Sequence, residues 1–551
     1  MISDFRSAPN GSRIETDLCI IGAGAAGIAI AHSLIAASLR VTIIESGGLA
    51  FDPDTQALYD GDVAGVPWGV ELTRTRLRWF GGSTNEWGRG CIPLDGIDFA
   101  ERPWVPSSGW PFERQELAKY YERARAFCAI PTFPFDDPGL LDRVRPRIPA
   151  FDPKVLTHCY AMLSFAGGFG NAYARSLRRA ANVELILHAN LIELVPQGSG
   201  RRVDRARIRS LDGKCGTIRA RWYVLACGGI ENARLLLLSD SVTRSGLGNE
   251  NDVVGRYFMD HPNIHVGSLR NETGMALAAP YIKRLSRRLP IWPVIRLSED
   301  LQKQDQLLNG RFQLRMRKEG EESEGMQALR VLKQGLRQGL LSWDMSREAY
   351  RAAIDWRSVL PAVSRHIRGF PTSARPVIDI EGFFEQAPNP ASRIELYHRR
   401  DALGLRKVRL NWRLTDLDHH TYRAAMQHFS REIGQDFPGA IQLAECLEAG
   451  QQTQASPRGT AHHIGTTRMS DNPRLGVVDR DCRVHGLDNL YIAGSSVFPT
   501  GGWAFPTFTI VALALRLSEH IVQESRRTIF RQRAGYGKTD LRRRAPRIAC
   551  G

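Results

Sequence analysis

Apolar positions along this chain follow two periods, and their alternation predicts an α/β protein. Ile14 to Ile21 reads IETDLCII, mostly apolar in its second half, as a buried parallel strand does. The run IAIAHSLIAAS from Ile28 has helical composition and spacing, and Arg40 to Ile44 predicts a second strand that ends at Glu45. Further strands are expected at Val183–Leu187, Leu191–Val195 and Tyr223–Ala226, the last followed by a Gly228-Gly229 turn and a helical pattern. A second group of alternating strands falls at Ile291–Leu297, Arg311–Arg317, Ile378–Phe384, Arg393–His398 and Lys407–Trp412. Helical spacing marks Arg114–Phe127, a long charged region at about 322–368, Thr415–Ile433 and Thr507–Leu517. A strand at Asn489–Ala493 precedes the last of these. The run QKQDQLLNG and the acidic GEESEG at 320–325 read as solvated loops or helix ends, and no internal repeat is visible.

Composition narrows the class. With 551 residues, 43% apolar and 24% charged, the chain is too long for one simple core and close to the globular average. A disordered chain, a collagen-like repeat and a disulfide miniprotein are excluded. No apolar stretch reads as a membrane span. The start, MISDFRSAPNGSRIETD, lacks the pattern of a secretory signal, so a cytoplasmic location is expected, with a periplasmic or membrane-associated one left open through a partner. The nine cysteines are scattered with no CxxC pair, which predicts free thiols and no metal site. The DLDHH cluster, Asp416 to His420, reads as helix capping and solvation.

The net charge is +16, and half of it sits between Arg526 and Gly551, where eight Arg and one Lys oppose one Asp. This basic tail predicts a solvated end, with an electrostatic contact to anionic lipid (a weak membrane-surface contact), nucleic acid or an acidic partner as its sharper reading. Only Phe530 and Tyr536 stand among the charges, short of the interleaved series a base-stacking surface needs, so no nucleic-acid role is expected.

Candidate chemistry begins at Gly22-Ala23-Gly24-Ala25-Ala26-Gly27, a GxGxxG between the first strand and the first helix. Gly22 permits the tight turn, Gly24 lets the backbone approach a pyrophosphate, and Gly27 lets helix and sheet pack closely. The helix N-terminus offers free N–H groups to the phosphates. Glu45, 18 residues after Gly27, can accept from a ribose 2′-OH. Together these predict a dinucleotide site.

Three longer runs add specificity: RWFGGSTNEWGRGCIPLDGIDFAERPWVPSSGWPF from Arg78, AHHIGTTRM from Ala461, and VVDRDCRVHGLDNLYIAGSSVFPTGGWAFPTFTIVALALRL from Val477. With VGRYFMDHP (Val254 to Pro262) and FEQAPNPASRIEL (Phe384 to Leu396), they resemble the glucose–methanol–choline (GMC) family of FAD-dependent oxidoreductases. The resemblance covers roughly residues 12–525 and is nearest to the branch of pyranose oxidase and the bacterial polyol, fructose and gluconate dehydrogenases.

The resemblance implies a discontinuous, Rossmann-like FAD-binding domain at about 12–60, 155–265 and 455–525, with a flavin-covering segment at 61–154. An α+β substrate domain on an antiparallel sheet would occupy 266–454, before the basic tail at 526–551. It implies oxidation of a CH–OH group to a carbonyl, with His462 as the base and His463 in a supporting hydrogen bond. Gly82, Ser83, Thr84 and Asn85 would contact the flavin or pyrophosphate. Gly494 and Ser495 would lie near the ribityl chain, and Pro506 and Thr507 would open a helix pointing at the flavin.

Two departures accompany the match. The family's partner to the base is an Asn or His directly before Pro506, and here Phe505 stands there. Phenylalanine makes no hydrogen bond, a loss that can cost about 2.7–4 kcal/mol of transition-state stabilisation. His462 could work alone or with His463, another side chain could enter, or the chemistry could be redox-neutral, of lyase or isomerase type. Trp503 and Phe505 predict an apolar wall and shift the expected substrate away from a small, fully hydrated sugar. Secondly, Glu86 rather than His precedes Trp87, so the FAD is expected to be non-covalent. The electron acceptor leaves no mark: oxygen, a quinone and a redox protein all stay open.

Overall fold

The computed structural model describes residues 1–135, 151–198, 200–269, 290–318, 343–356, 376–436, 441–443 and 457–543, with a few isolated positions between. The acidic 320–325 run lies outside these residues, as does most of 322–368, in which a helix at Trp343–Ile354 is described.

The first sheet is built where the sequence runs most apolar. Six parallel strands lie in the order Ile2–Asp4, Val183–Leu187, Val41–Ile44, Ser12–Ile21, Cys215–Leu225 and Leu490–Ile492. An antiparallel pair, Val203–Arg209 and Asn190–Pro196, extends it along the first part of Cys215–Leu225. The central strand is buried along Leu18–Ile21, which accounts for its unbroken apolar run. The helix Ala25–Ser33 covers this sheet and packs on the helix Pro506–Arg543, a longer element than the 507–517 expected.

The second sheet is antiparallel, in the order Ile441–Leu443, Asn263–Leu269, Pro376–Phe384, Gly310–Lys318, Pro290–Leu297, Leu156–Leu163 and Gly90–Cys91. Leu156–Leu163 pairs with Pro290–Leu297, so this part of 155–265 builds the second sheet and not the first. The expected strands at 393–398 and 407–412 do form, as Arg393–Arg400 and Arg406–Trp412. They leave the second sheet, however, and make a small third one with Gly61–Gly65.

Two loop expectations change. In QKQDQLLNG, Gln302, Leu307, Leu308 and Asn309 are buried, because Asn309 donates to Asp98 and its backbone N–H to Glu385. In DLDHH, Asp418 is buried and accepts from Thr415 N–H and hydroxyl and from Ala387 N–H, so it caps the helix Asp416–Asp436 without being solvated. Among the described residues no group of His, Cys, Asp or Glu could hold a metal, and no helix is long and apolar enough to cross a membrane.

Candidate active site

Four parallel strands of the first sheet end on one cavity of about 450 Å³, the place where open α/β sheets bind ligands. Ile21 leads into Gly22, Ile44 into Glu45, Leu225 into Ala226 and Cys227, and Ile492 through Ala493 into Gly494. Of the residues assigned to the cofactor, Gly22, Gly24, Glu45, Gly82, Ser83, Thr84, Gly494, Ser495, Pro506 and Thr507 line this cavity. Gly27 and Asn85 do not. A Cβ on Gly27 would stand 2.0 Å from the Gly22 carbonyl, so Gly27 serves helix packing. The Asn85 amide donates to the Phe80 and Gly82 carbonyls and holds the turn beside the lining residues.

The cavity fits a dinucleotide. A Cβ on Gly24 or Gly228 would meet no protein atom within 4 Å, so both leave backbone open to a ligand. The helices Ala25–Ser33 and Gly228–Leu238 begin here with no side-chain cap, which leaves N–H donors and two positive dipole ends for phosphate. Arg76 also lines the cavity, and its buried Nε and Nη1 have no hydrogen-bond partner among the described residues. Glu45 accepts from Ala23 N–H at 2.8 Å and Gly47 N–H at 3.0 Å, which orients the carboxylate. Burial pushes its pKa above the usual carboxylate value.

A charged layer backs the cofactor end. Glu231 meets Arg76 at 3.1 Å, Arg78 at 3.4 Å and Arg234 at 3.2 Å. Burial alone would raise its pKa, but Arg234, Arg78 and Arg76 outweigh burial and hold it at about 2. The Arg76 and Arg78 guanidiniums stack over Tyr59 at 4.1 and 4.7 Å.

The segment 460–463 also lines the cavity, hung from one carboxylate. Asp260 accepts from the backbone N–H groups of Thr460 (2.9 Å), Ala461 (3.1 Å) and His462 (3.0 Å). It also accepts from the Thr460 hydroxyl and the Trp68 indole, each at 2.8 Å. These bonds hold Ala461 at φ +63°, a left-handed conformation costly for alanine. They present His462 to the cavity, with its Nδ1 turned to His261 Nδ1 at 2.9 Å. Burial, and next the Arg311 charge, push the His462 pKa below the usual imidazole value.

His463 lines the same cavity but serves a different neighbourhood. Its ring lies among Trp68 (5.1 Å) and Phe258 (6.0 Å), and its Nε2 has no partner among the described residues. No hydrogen bond of its side chain is made among the described residues, where a supporting one was expected. Its carbonyl accepts from the Ser495 hydroxyl instead.

Phe505 stands edge-on to His462 at 6.1 Å, stacked on Trp292 at 5.5 Å, with the Arg311 guanidinium 4.7 Å from its ring. The expected apolar wall is thus half met: Phe505 lines the cavity, while Trp503 turns into the core and donates to Asp95. Arg311 is fully buried, donates to Gln313 and has no carboxylate partner among the described residues; burial pushes its pKa to about 9. Sequence reasoning passed over Asp260, His261 and Arg311. The DHP of VGRYFMDHP was visible as a motif, but nothing local tied it to a histidine 201 residues away.

Known proteins agree with this architecture. The profile described as GMC oxidoreductase matches residues 388–514, and that of FAD dependent oxidoreductase matches 17–244. The chain is 25% identical to 6'''-hydroxyparomomycin C oxidase of Streptomyces lividus, over 92% of this chain and 91% of that protein. It is 24% identical to 2-methyl-1,2-propanediol dehydrogenase of Mycolicibacterium austroafricanum (92% and 95%) and 22% identical to the fructose dehydrogenase large subunit of Gluconobacter japonicus (93% and 98%). Among solved structures, formate oxidase of Aspergillus oryzae RIB40 shares the fold, with a TM-score of 0.55 at 17% identity over 94% of this chain and 99% of that one. Sheet order and nucleotide cradle fit the two profile matches, which give the chain an FAD-dependent oxidoreductase domain at 17–244 and a GMC oxidoreductase domain at 388–514.

Proposed function

We propose that this protein oxidises a CH–OH group of a sugar- or diol-type alcohol to a carbonyl, with His462 as the base and FAD held non-covalently. The observation that carries this reading is the placement of His462: a ring at the wall of the cavity that the nucleotide cradle also lines, its pKa pushed below the usual imidazole value by burial and by Arg311. Bound FAD supplies a hydride acceptor for the carbinol carbon. The chain's own residues do the rest. Asp260 fixes the backbone of 460–462 so that the imidazole meets the substrate hydroxyl, and a neutral ring nitrogen takes its proton. Arg311 opposes a premature proton on His462. Glu86 before Trp87 offers no imidazole for a histidyl–flavin bond. The relatives carry oxidase or dehydrogenase names, and the lyase or isomerase alternative gains no support.

The test is anaerobic bleaching of the flavin by a panel of sugars, diols and apolar alcohols. At least one alcohol is expected to bleach it, and His462→Ala to slow that by on the order of 10²–10⁴. The limiting rate should stay flat from pH 8 to about pH 5. An unperturbed imidazole protonates near 6.5, whereas one with a depressed pKa keeps its base form below that pH. Bleaching that survives His462→Ala would remove the base assignment. A flavin that no alcohol bleaches would remove the alcohol reading.

A further inference from the structure

The position expected to partner the base holds a phenyl ring, yet His462 does have a partner. It comes from another part of the chain. His261 is buried, its Nδ1 lies 2.9 Å from His462 Nδ1, and the rings meet at 74°. The other nitrogen of His261, Nε2, faces the Gly501 carbonyl at 3.4 Å.

These contacts fix the protons. A carbonyl only accepts, so the hydrogen of a neutral His261 sits on Nε2. Its Nδ1 is then a bare lone pair that only accepts. The hydrogen between the two rings must therefore belong to His462 Nδ1. A second contact requires the same arrangement. The Thr460 hydroxyl, 3.2 Å from His462 Nδ1, spends its own hydrogen on Asp260 at 2.8 Å and turns a lone pair toward His462. With Nδ1 carrying the hydrogen, the only basic atom of neutral His462 is Nε2, the nitrogen left for the cavity.

We propose that His261 is the positioning residue of the base: read through the Gly501 carbonyl, it holds His462 in the Nδ1–H tautomer. The proposal rests on the reading of His462 as the proton acceptor. When the substrate O–H bond breaks and the proton joins Nε2, the Nδ1–H bond to His261 becomes charge-assisted and stabilises the imidazolium. The charged and titratable groups facing the pair are Asp260, Arg311 and His463, with Arg76 beyond His463. Burial, and next His462, depress the His261 pKa, so it remains the neutral acceptor this arrangement needs. Phe505, edge-on to His462, packs the ring and does not bond it.

Two measurements test this on the FAD-loaded full chain. The first is ¹⁵N NMR of histidine-labelled protein, with His462 assigned from its loss in His462→Asn. Nδ1 of His462 is expected to show the protonated, pyrrole-type shift and Nε2 the bare, pyridine-type shift, inverting or averaging in His261→Phe. The opposite tautomer in the unsubstituted protein overturns the proposal. This readout needs no turnover, so it stands apart from failure of the alcohol panel. The second is anaerobic flavin reduction. His261→Phe is expected to lower the limiting rate on the order of 10²-fold or more, as loss of the correct tautomer does in other histidine bases, with FAD and substrate dissociation constants unchanged. His261→Gln, which keeps an acceptor, should recover most of that loss. Equal rates in the parent and both His261 variants overturn the proposal. If His261→Phe fails to fold, the Gln variant and the NMR of the unsubstituted chain decide the matter.

Discussion

At the scale of single residues, the two glycines Gly24 and Gly27 at the start of the first helix have separate jobs, and the structure lets them be pulled apart. A Cβ on Gly24 meets no protein atom within 4 Å, and its φ is an ordinary one, so Gly24→Ala should leave the apoprotein within about 1 kcal/mol of the parent. The methyl would project into the space the nucleotide backbone needs. FAD affinity should fall at least tenfold, about 1.4 kcal/mol. A Cβ on Gly27 strikes the Gly22 carbonyl, and Gly27→Ala should destabilise the apoprotein by about 1–3 kcal/mol. Apoprotein melting with FAD titration separates the two outcomes, and equal effects on both readouts would refute the division. This much was legible in the sequence, because the GxGxxG context is local: a strand before, a helix after and an acid at the next strand's end. His261 was not. Its role depends on a contact 201 residues away, while the sequence pointed to the family's position before Pro506.

At the scale of elements, the first turn of Gly228–Leu238 places Glu231 where Arg76, Arg78 and Arg234 converge, all with little exposed side chain. Arg234 keeps a second carboxylate, Asp401, at 2.6 Å, whereas the other two guanidiniums have no second carboxylate among the described ion pairs. Glu231→Gln leaves them buried and under-compensated. The expected cost is about 3–5 kcal/mol, read as a fall in the urea midpoint, and an unchanged midpoint would show that they find other compensation. Strands and helices of this kind were readable to within a few residues, since period and length mark them. Their partners were harder to read. Arg406–Trp412 alternates as any half-buried strand would, yet it pairs in parallel with Gly61–Gly65, far back in the chain. Likewise the apolar pair Leu307–Leu308 sits in a polar run that reads as solvated, and only packing shows it to be core.

At the scale of the whole molecule, the cavity is where separate stretches of chain meet: strand ends of the first sheet, the 76–90 segment, 460–463 and the start of the last helix. A ligand touching all of them stabilises the assembly rather than one part. Free FAD at a hundredfold excess over its Kd should therefore add about 2.7 kcal/mol to the stability of the apoprotein. A melting temperature that does not move with FAD concentration would contradict a cofactor shared by these segments.

The Asp260 carboxylate carries a consequence for the lineage of such enzymes. It precedes the strand Asn263–Leu269 of the second sheet, yet it suspends the backbone that bears His462. Selectivity and reactivity are thus tethered to one another. A graft that exchanged the second sheet to change the substrate, and cut the chain before residue 260, would carry off the anchor of the base along with the old specificity. A workable exchange must take its seam after Pro262.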